Sequence, residues 1–272
     1  MGLAPPPPVP REHGAWTMLV IPMWLGLAAG GLRSGAAWLV PPAALLVFLA
    51  HHAIVPWAQR SREKKASPPG YAARRLVWGA AYLALALLVF AGAVLAAAPV
   101  ARGPFLTVAG IASVLAAVYA VACVLGRGRS IGPETIGLAG VSLSAPMMAA
   151  AAGRPLDRGL LGASALALGY FLSSVSYVRA YEALRVNRQG AIRSCVVAHV
   201  ALAAALSALA AYGALPRWWW AAFIPVIVRT VWGLAIPPGN VRQVGLREAW
   251  VAATFTLLAC LALICGDTPL FL

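Results

Sequence analysis

Long apolar stretches separated by short polar ones set the pattern of this chain. Nine stretches come near the roughly 20 apolar residues a helix needs to cross a bilayer. They run Trp16–Gly31, Ala37–Trp57, Val77–Val100, Phe105–Leu125, Thr135–Gly153, Gly159–Val178, Cys195–Ala214, Trp218–Ile236 and Ala249–Gly266. The expected fold is all-α, a polytopic integral membrane helical bundle of about nine transmembrane helices. One domain is expected over residues 14–272, behind a Pro-rich tail at residues 1–13, where Pro5 to Pro8 and Pro10 favour an extended chain. Arg11 before the first apolar run imitates a signal peptide, but eight further stretches follow, and the run reads as a retained helix.

Composition agrees with the pattern. Hydrophobic residues make up 62% of the chain and charged residues 10%, which excludes an ordinary soluble enzyme. The formal net charge is +14. In a soluble protein that excess would suggest nucleic acid. In a membrane protein it belongs to cytoplasmic loops facing anionic lipid, so no nucleic-acid partner is expected. Of the 21 basic residues, fifteen fall on one set of loops and five on the other, with Arg229 alone inside a stretch. This bias predicts a cytoplasmic N-terminus and, after nine crossings, an outside C-terminus. Glu12, Glu63, Glu134, Glu182 and Glu248 fall on the basic side, so polar chemistry is expected there. The longest loops on that side are Ala58–Leu76 and Arg179–Ser194, four stretches apart, as a duplicated four-helix scheme would place them. The four cysteines lie in or beside apolar stretches without metal-like spacing, and read as small core residues.

Candidate ligand-binding residues form several groups. Arg11, Glu12 and His13 precede Trp16 at the start of the first stretch, either as helix-end complements or as a charged latch over a cleft. His51 and His52 end the second stretch, followed by Gln59, Arg60 and Arg62. Adjacent residues point about 100° apart on a helix, so the two imidazoles are not expected to share one site. Tyr177 precedes Arg179, Glu182 and Arg185, whose spacing of three makes one polar stripe, either self-neutralising or an anion clamp. Arg229 lies mid-stretch, where a charge needs a partner; Glu134, Glu248 or an anionic ligand could supply it. Glu134 and Glu248 equally suit helix caps, and His199 reads as a satisfied core residue.

The opening PREHGAWTMLVIPMWLGLAAGG resembles the start of YwiC-like family membrane proteins, which are bacterial and of unassigned activity. GPETIGLAGVSLSAP, SSVSYVRAYEALR, IPVIVRT and VGLREAW extend that resemblance over most of the chain. Helix number, orientation and loop placement are more distantly similar to the UbiA superfamily of prenyltransferases. That second resemblance implies two Asp-rich motifs after the second and sixth helices, holding Mg²⁺ on the diphosphate of a polyprenyl donor. Here the loop after the second stretch has only Glu63, while Ala180 and Leu184 stand where aspartates would be. Arg60, Arg62, Arg179 and Arg185 could meet a phosphate directly instead.

The function expected is an inner-membrane protein that binds an isoprenoid or other phosphate-headed lipid, such as polyprenyl phosphate or a quinone, in a cytoplasm-facing cleft. A divergent transferase lacking the metal-binding aspartates is one form of that reading. It expects Arg179, Arg229 and His13 to converge at the cytoplasmic end of the cleft. An accessory protein of a respiratory or other membrane complex would instead be a closed bundle. A transporter would need helices broken at Pro22, Pro41, Pro42, Pro146 or Pro225 and an intramembrane carboxylate, and no stretch contains one.

Overall fold

The computed structural model describes residues 7–9, 13–30, 34–65, 68, 70–185, 190–236 and 241–265. Among them are ten helices: α1 (His13–Gly30), α2 (Gly35–Arg62), α3 (Tyr71–Ala96), α4 (Pro99–Val124), α5 (Ile131–Ser142), α6 (Ser144–Ala151), α7 (Arg158–Arg185), α8 (Gly190–Ala211), α9 (Trp219–Ala235) and α10 (Val241–Cys265). No described residue is in a strand. Six helices (α2, α3, α4, α7, α8 and α10) are long and apolar enough to cross a membrane, and α1 and α9 are shorter apolar helices. The chain is a multi-pass helical membrane protein.

The fifth apolar stretch is divided between α5 and α6. Pro146 lacks an amide hydrogen, and its ring opposes the carbonyl of Ser142, four residues back, where α5 stops. Pro22, Pro41, Pro42 and Pro225, the other positions where the transporter reading would need a break, lie inside continuous helices. Their neighbours tolerate the lost bonds, as membrane helices often do.

Helices outrun the apolar stretches at the basic end. With 28 residues, α2 is about 42 Å long against a hydrocarbon core of about 30 Å. It continues to Arg62, and α3 begins at Tyr71, so most of the expected Ala58–Leu76 loop is helical. The Arg179–Ser194 loop likewise shrinks, because α7 runs to Arg185 and α8 starts at Gly190.

At the centre, α1 and α6 separate two packed clusters. Leu19, Met23 and Leu27 share a stripe of α1 and pack with α2, α4 and α6. Ile21 and Leu25, on another stripe, pack with α7, α9 and α10. Lipid is as apolar as leucine, so van der Waals fit must hold such helices together. The fit is closest where Gly26 and Gly30 meet α6. A Cβ on Gly26 would stand 2.7 Å from the Ala145 carbonyl oxygen, and one on Gly30 would stand 2.6 Å from the Ala149 Cα. This is a G-x-x-x-G face on a small-residue face. Opposite the core, valines and leucines of α3, α4 and α8 are exposed, as lipid requires.

Candidate functional site

A cavity of about 400 Å³ opens at the basic end, between α2, α4 and the turn after α4. His51, His52, Val55 and Gln59 of α2 line one wall, and Tyr119 and Cys123 of α4 another. Gly126, Gly128 and Arg129 form the rim. The turn is set by Gly126, whose φ of 75° lies in the left-handed region. The Gly126 amide donates to the Cys123 carbonyl at 2.9 Å and the Arg127 amide to the Ala122 carbonyl at 2.8 Å, the paired bonds of a Schellman cap. Gln59 Nε2 donates to that same Cys123 carbonyl at 2.6 Å, fastening α2 to the end of α4. Gly128 then lies directly on the Cys123 thiol, where a Cβ would be 2.5 Å from Sγ.

Both histidines line this cavity, contrary to the expectation from their spacing. Their ring centroids are 6.0 Å apart. Both rings line the cavity although adjacent residues on α2 point about 100° apart. His51 stacks on Tyr119 at 5.6 Å, with the planes 9° apart. His52 tilts against Phe48 at 4.8 Å, and Phe48 meets Trp16 edge-on at 6.0 Å. Trp16 therefore reaches the cleft wall through Phe48. Gly137 of α5 backs Tyr119, with room for a ring where a side chain would clash. His51 Nε2 is buried and has no hydrogen-bond partner among the described residues.

Arg179 of α7 braces the rim from outside. It donates to the Arg129 carbonyl at 2.6 Å and forms an ion pair with Glu134 in the first turn of α5. Glu134 is thus both a helix-end complement and an ion-pair partner, the two roles left open by its position. Glu182 is exposed, so Arg179 pairs across helices and not along its own stripe. Arg60 lies over the Tyr71 ring at 5.2 Å, and Arg62 donates to the Val124 carbonyl at 3.5 Å. Arg11 and Glu12 lie outside the described residues, as do the side chains of His13 and Arg185.

A second polar group lies elsewhere, among α7, α8, α9 and α10. Arg229 pairs with Glu248 at 2.5 Å, which decides between its candidate partners. It also donates to Ser173 Oγ at 3.1 Å, and its guanidinium lies 4.4 Å from the Tyr177 ring centroid. His199 Nδ1 is 2.8 Å from the Cys195 carbonyl, which can only accept, so Nδ1 carries the proton. Its Nε2 then accepts from the Ser173 hydroxyl at 2.8 Å. Arg229, Ser173 and His199 form one chain of matched donors and acceptors. Because α10 starts at Val241, Glu248 lies inside a helix, immediately before the ninth apolar stretch, and not in the loop where the sequence placed it. Arg179 and Arg229 do not converge on one cleft, since each is held by its own glutamate. Cys123 and Cys195 are core residues as expected, but Cys265 is exposed.

The UbiA likeness implies magnesium held on carboxylates near the ends of α2 and α7. Glu63 has its carboxylate 2.5 Å from Lys65 Nζ, and Glu182 is exposed. Among the described residues no group of three or more His, Cys, Asp or Glu is placed to hold a metal ion. Magnesium needs hard oxygen ligands in a near-octahedral set, and these residues do not fit it.

Fold and cleft together define a multi-pass helical membrane protein with a polar recess at its basic end. Its family is given by a match to the model for YwiC-like protein over residues 9–149, and the chain belongs to that family. The matched region contains every residue lining the cleft, whereas the Arg229 group lies beyond it. No curated protein matches the chain, and no solved structure does. The distant resemblance to the UbiA superfamily, read from helix number, orientation and loop placement, is not shown by these comparisons.

Proposed function

We propose that this protein lies in the bacterial cytoplasmic membrane with its N-terminus inside and its C-terminus outside. There it binds a lipid with a phosphate headgroup, an isoprenoid being one such lipid, in the cleft at the basic end. The observation that carries this reading is the cleft lining: two imidazoles, an amide, a phenol and a guanidinium around one cavity. The Arg129 guanidinium donates, each imidazole either donates or accepts, the Gln59 amide has one N–H on the Cys123 carbonyl, and His51 Nε2 has no partner among the described residues. Arg75, which donates to the His52 carbonyl at 2.5 Å, adds positive charge beside the cleft. An accessory protein with a closed bundle would have no use for such a recess. A carrier is the second reading, favoured by Glu248 inside α10. It ranks lower because Glu248 is neutralised by Arg229.

Native mass spectrometry of the purified protein, with lipid extraction from the same sample, tests the first reading. A phosphate-headed lipid should remain bound one to one in the wild type and be lost in Arg129→Ala. An empty protein, or bulk phospholipid held equally by both forms, would overturn it.

A further inference from the structure

Resting on the lipid-binding reading of this cleft, we infer that its lipid ends in a terminal phosphate, a phosphomonoester, and not in a phosphodiester carrying an ammonium group. The lining residues offer one kind of charge. Arg129 brings a guanidinium, His51 and His52 bring imidazoles, and Gln59 and Tyr119 bring neutral polar groups. Among the described residues no carboxylate lines the cavity. The nearest candidates along the chain are already engaged, Glu134 by Arg179 and Glu63 by Lys65. A choline or ethanolamine head would bring a cation into this recess. It would surrender hydration beside the Arg129 guanidinium and find no unpaired carboxylate among the described lining residues to receive it, a cost of the kind that selects against a ligand. A terminal phosphate carries between one and two negative charges near neutral pH and three acceptor oxygens. Those oxygens match the guanidinium fork of Arg129 and the donors beside it.

The size of the cavity agrees. At about 400 Å³ it lies at the small end of ligand sites, and Val55 is its one aliphatic lining residue. It accommodates a head and not a lipid tail. The tail would continue along α4, where Val114, Val118 and Val121 are all exposed, on a stripe next to that of Tyr119 and Cys123. Arg60 and Arg75 both lie over the Tyr71 ring, at 5.2 and 5.3 Å, at the α2–α3 turn. A doubly charged head is drawn towards such a field more strongly than a zwitterion.

The test measures binding of phosphatidic acid, phosphatidylcholine with the same acyl chains, and inorganic phosphate to the full chain in detergent micelles. The variants are Arg129→Ala, His51→Leu and, as a charge control at the other end, Arg102→Ala. Arg129 lies on an exposed turn, so its truncation leaves the bundle packing untouched. Phosphatidic acid should bind at least tenfold more tightly than phosphatidylcholine. The preference should vanish in Arg129→Ala, weaken in His51→Leu and persist in Arg102→Ala. Equal binding of both lipids, lost together in Arg129→Ala, would overturn this inference while leaving the cleft as the lipid site. Lipid binding unchanged in Arg129→Ala and His51→Leu would overturn both. Inorganic phosphate competing at the same concentration as phosphatidic acid would keep terminal-phosphate recognition but overturn the lipid reading.

Discussion

Replacing Glu248 by Gln should be among the most damaging single changes in the protein. The Arg229 side chain is 2% exposed and that of Glu248 15%. Their contact at 2.5 Å is the one salt bridge to Arg229 among the described residues. Removing one partner of a buried pair leaves the other charge uncompensated, at a cost of about 3–5 kcal/mol. The stacking on Tyr177 and the Ser173 bond remain in Glu248→Gln, which places the expected loss at the lower end, about 3 kcal/mol. Arg229→Met should cost less, because Glu248 is the more exposed partner and is less desolvated when left alone. The double variant removes both charges and should recover most of the loss. The assay is loss of helical circular dichroism as SDS is titrated into mixed micelles, with all four forms compared in a double-mutant cycle. A coupling energy of about 2 kcal/mol or more is expected. Glu248→Gln within about 0.5 kcal/mol of wild type, with strictly additive variants, would refute the claim that this pair is desolvated and mutually dependent.

Three further outcomes follow from the packing and the charge pattern. Gly26→Leu or Gly30→Leu should destabilise the bundle by about 1–3 kcal/mol in the same titration, because each side chain enters the backbone of α6. Gly103→Leu, with nothing within 4 Å, should be neutral; equal effects at the three positions would discredit the α1–α6 contact. Arg179→Ala should cost only about 1 kcal/mol, since the Arg179–Glu134 pair is partly exposed, yet it should loosen the rim and speed lipid loss in native mass spectrometry. Unchanged lipid retention would mean that the Arg129 turn stands without its brace. In a cysteine-free chain in intact cells, an impermeant thiol reagent should label Asp157→Cys and spare Lys65→Cys, and the reverse pattern would invert the proposed orientation.

Much of the fold was legible because lipid imposes a simple rule. Backbone groups must be satisfied within each crossing segment, so each of the nine apolar stretches proved helical, though length alone did not show that the fifth divides into α5 and α6. Their ends were not legible. Apolarity measures the thickness of the lipid, whereas Gln59 to Arg62 and Val241 to Glu248 continue the helix beyond it or at its margin. That is why Glu248 was placed in a loop. The cleft was partly legible: His51 and Gln59 lie eight residues apart on one helical face, with Val55 between them. Tyr119 and the Gly126–Arg129 turn carried no comparable signal, because their contribution depends on how α4 packs against α2. Pairings such as Arg179 with Glu134 join helices far apart in the chain, and charge counting could not choose among the candidate partners. Gly26 and Gly30 did carry a readable signal, small residues four apart in an apolar helix, which marks a close helix contact.

The two polar groups differ in a way that separates support from recognition. Around Arg229 the guanidinium meets a carboxylate and a serine, the serine meets a histidine, and the histidine meets a carbonyl. A satisfied chain of this kind is worth most while it stays intact, since breaking it strands a charge at membrane depth. It joins α7, α8, α9 and α10, and its guanidinium is matched, although the buried Tyr177 hydroxyl beside it has no hydrogen-bond partner among the described residues. In the cleft the balance is reversed. Arg129 has no salt bridge among the described residues, and His51 Nε2 has no partner there, while a recess separates them from the opposite wall. A buried imidazole nitrogen without a partner adds no stability, and with the proton on Nε2 the natural complement to it and to the exposed Arg129 guanidinium is an anion from outside the chain. Variants around Arg229 should therefore register first in stability, and variants of Arg129 and His51 first in lipid retention. Finding the two sets of effects exchanged would reverse the assignment of support and site.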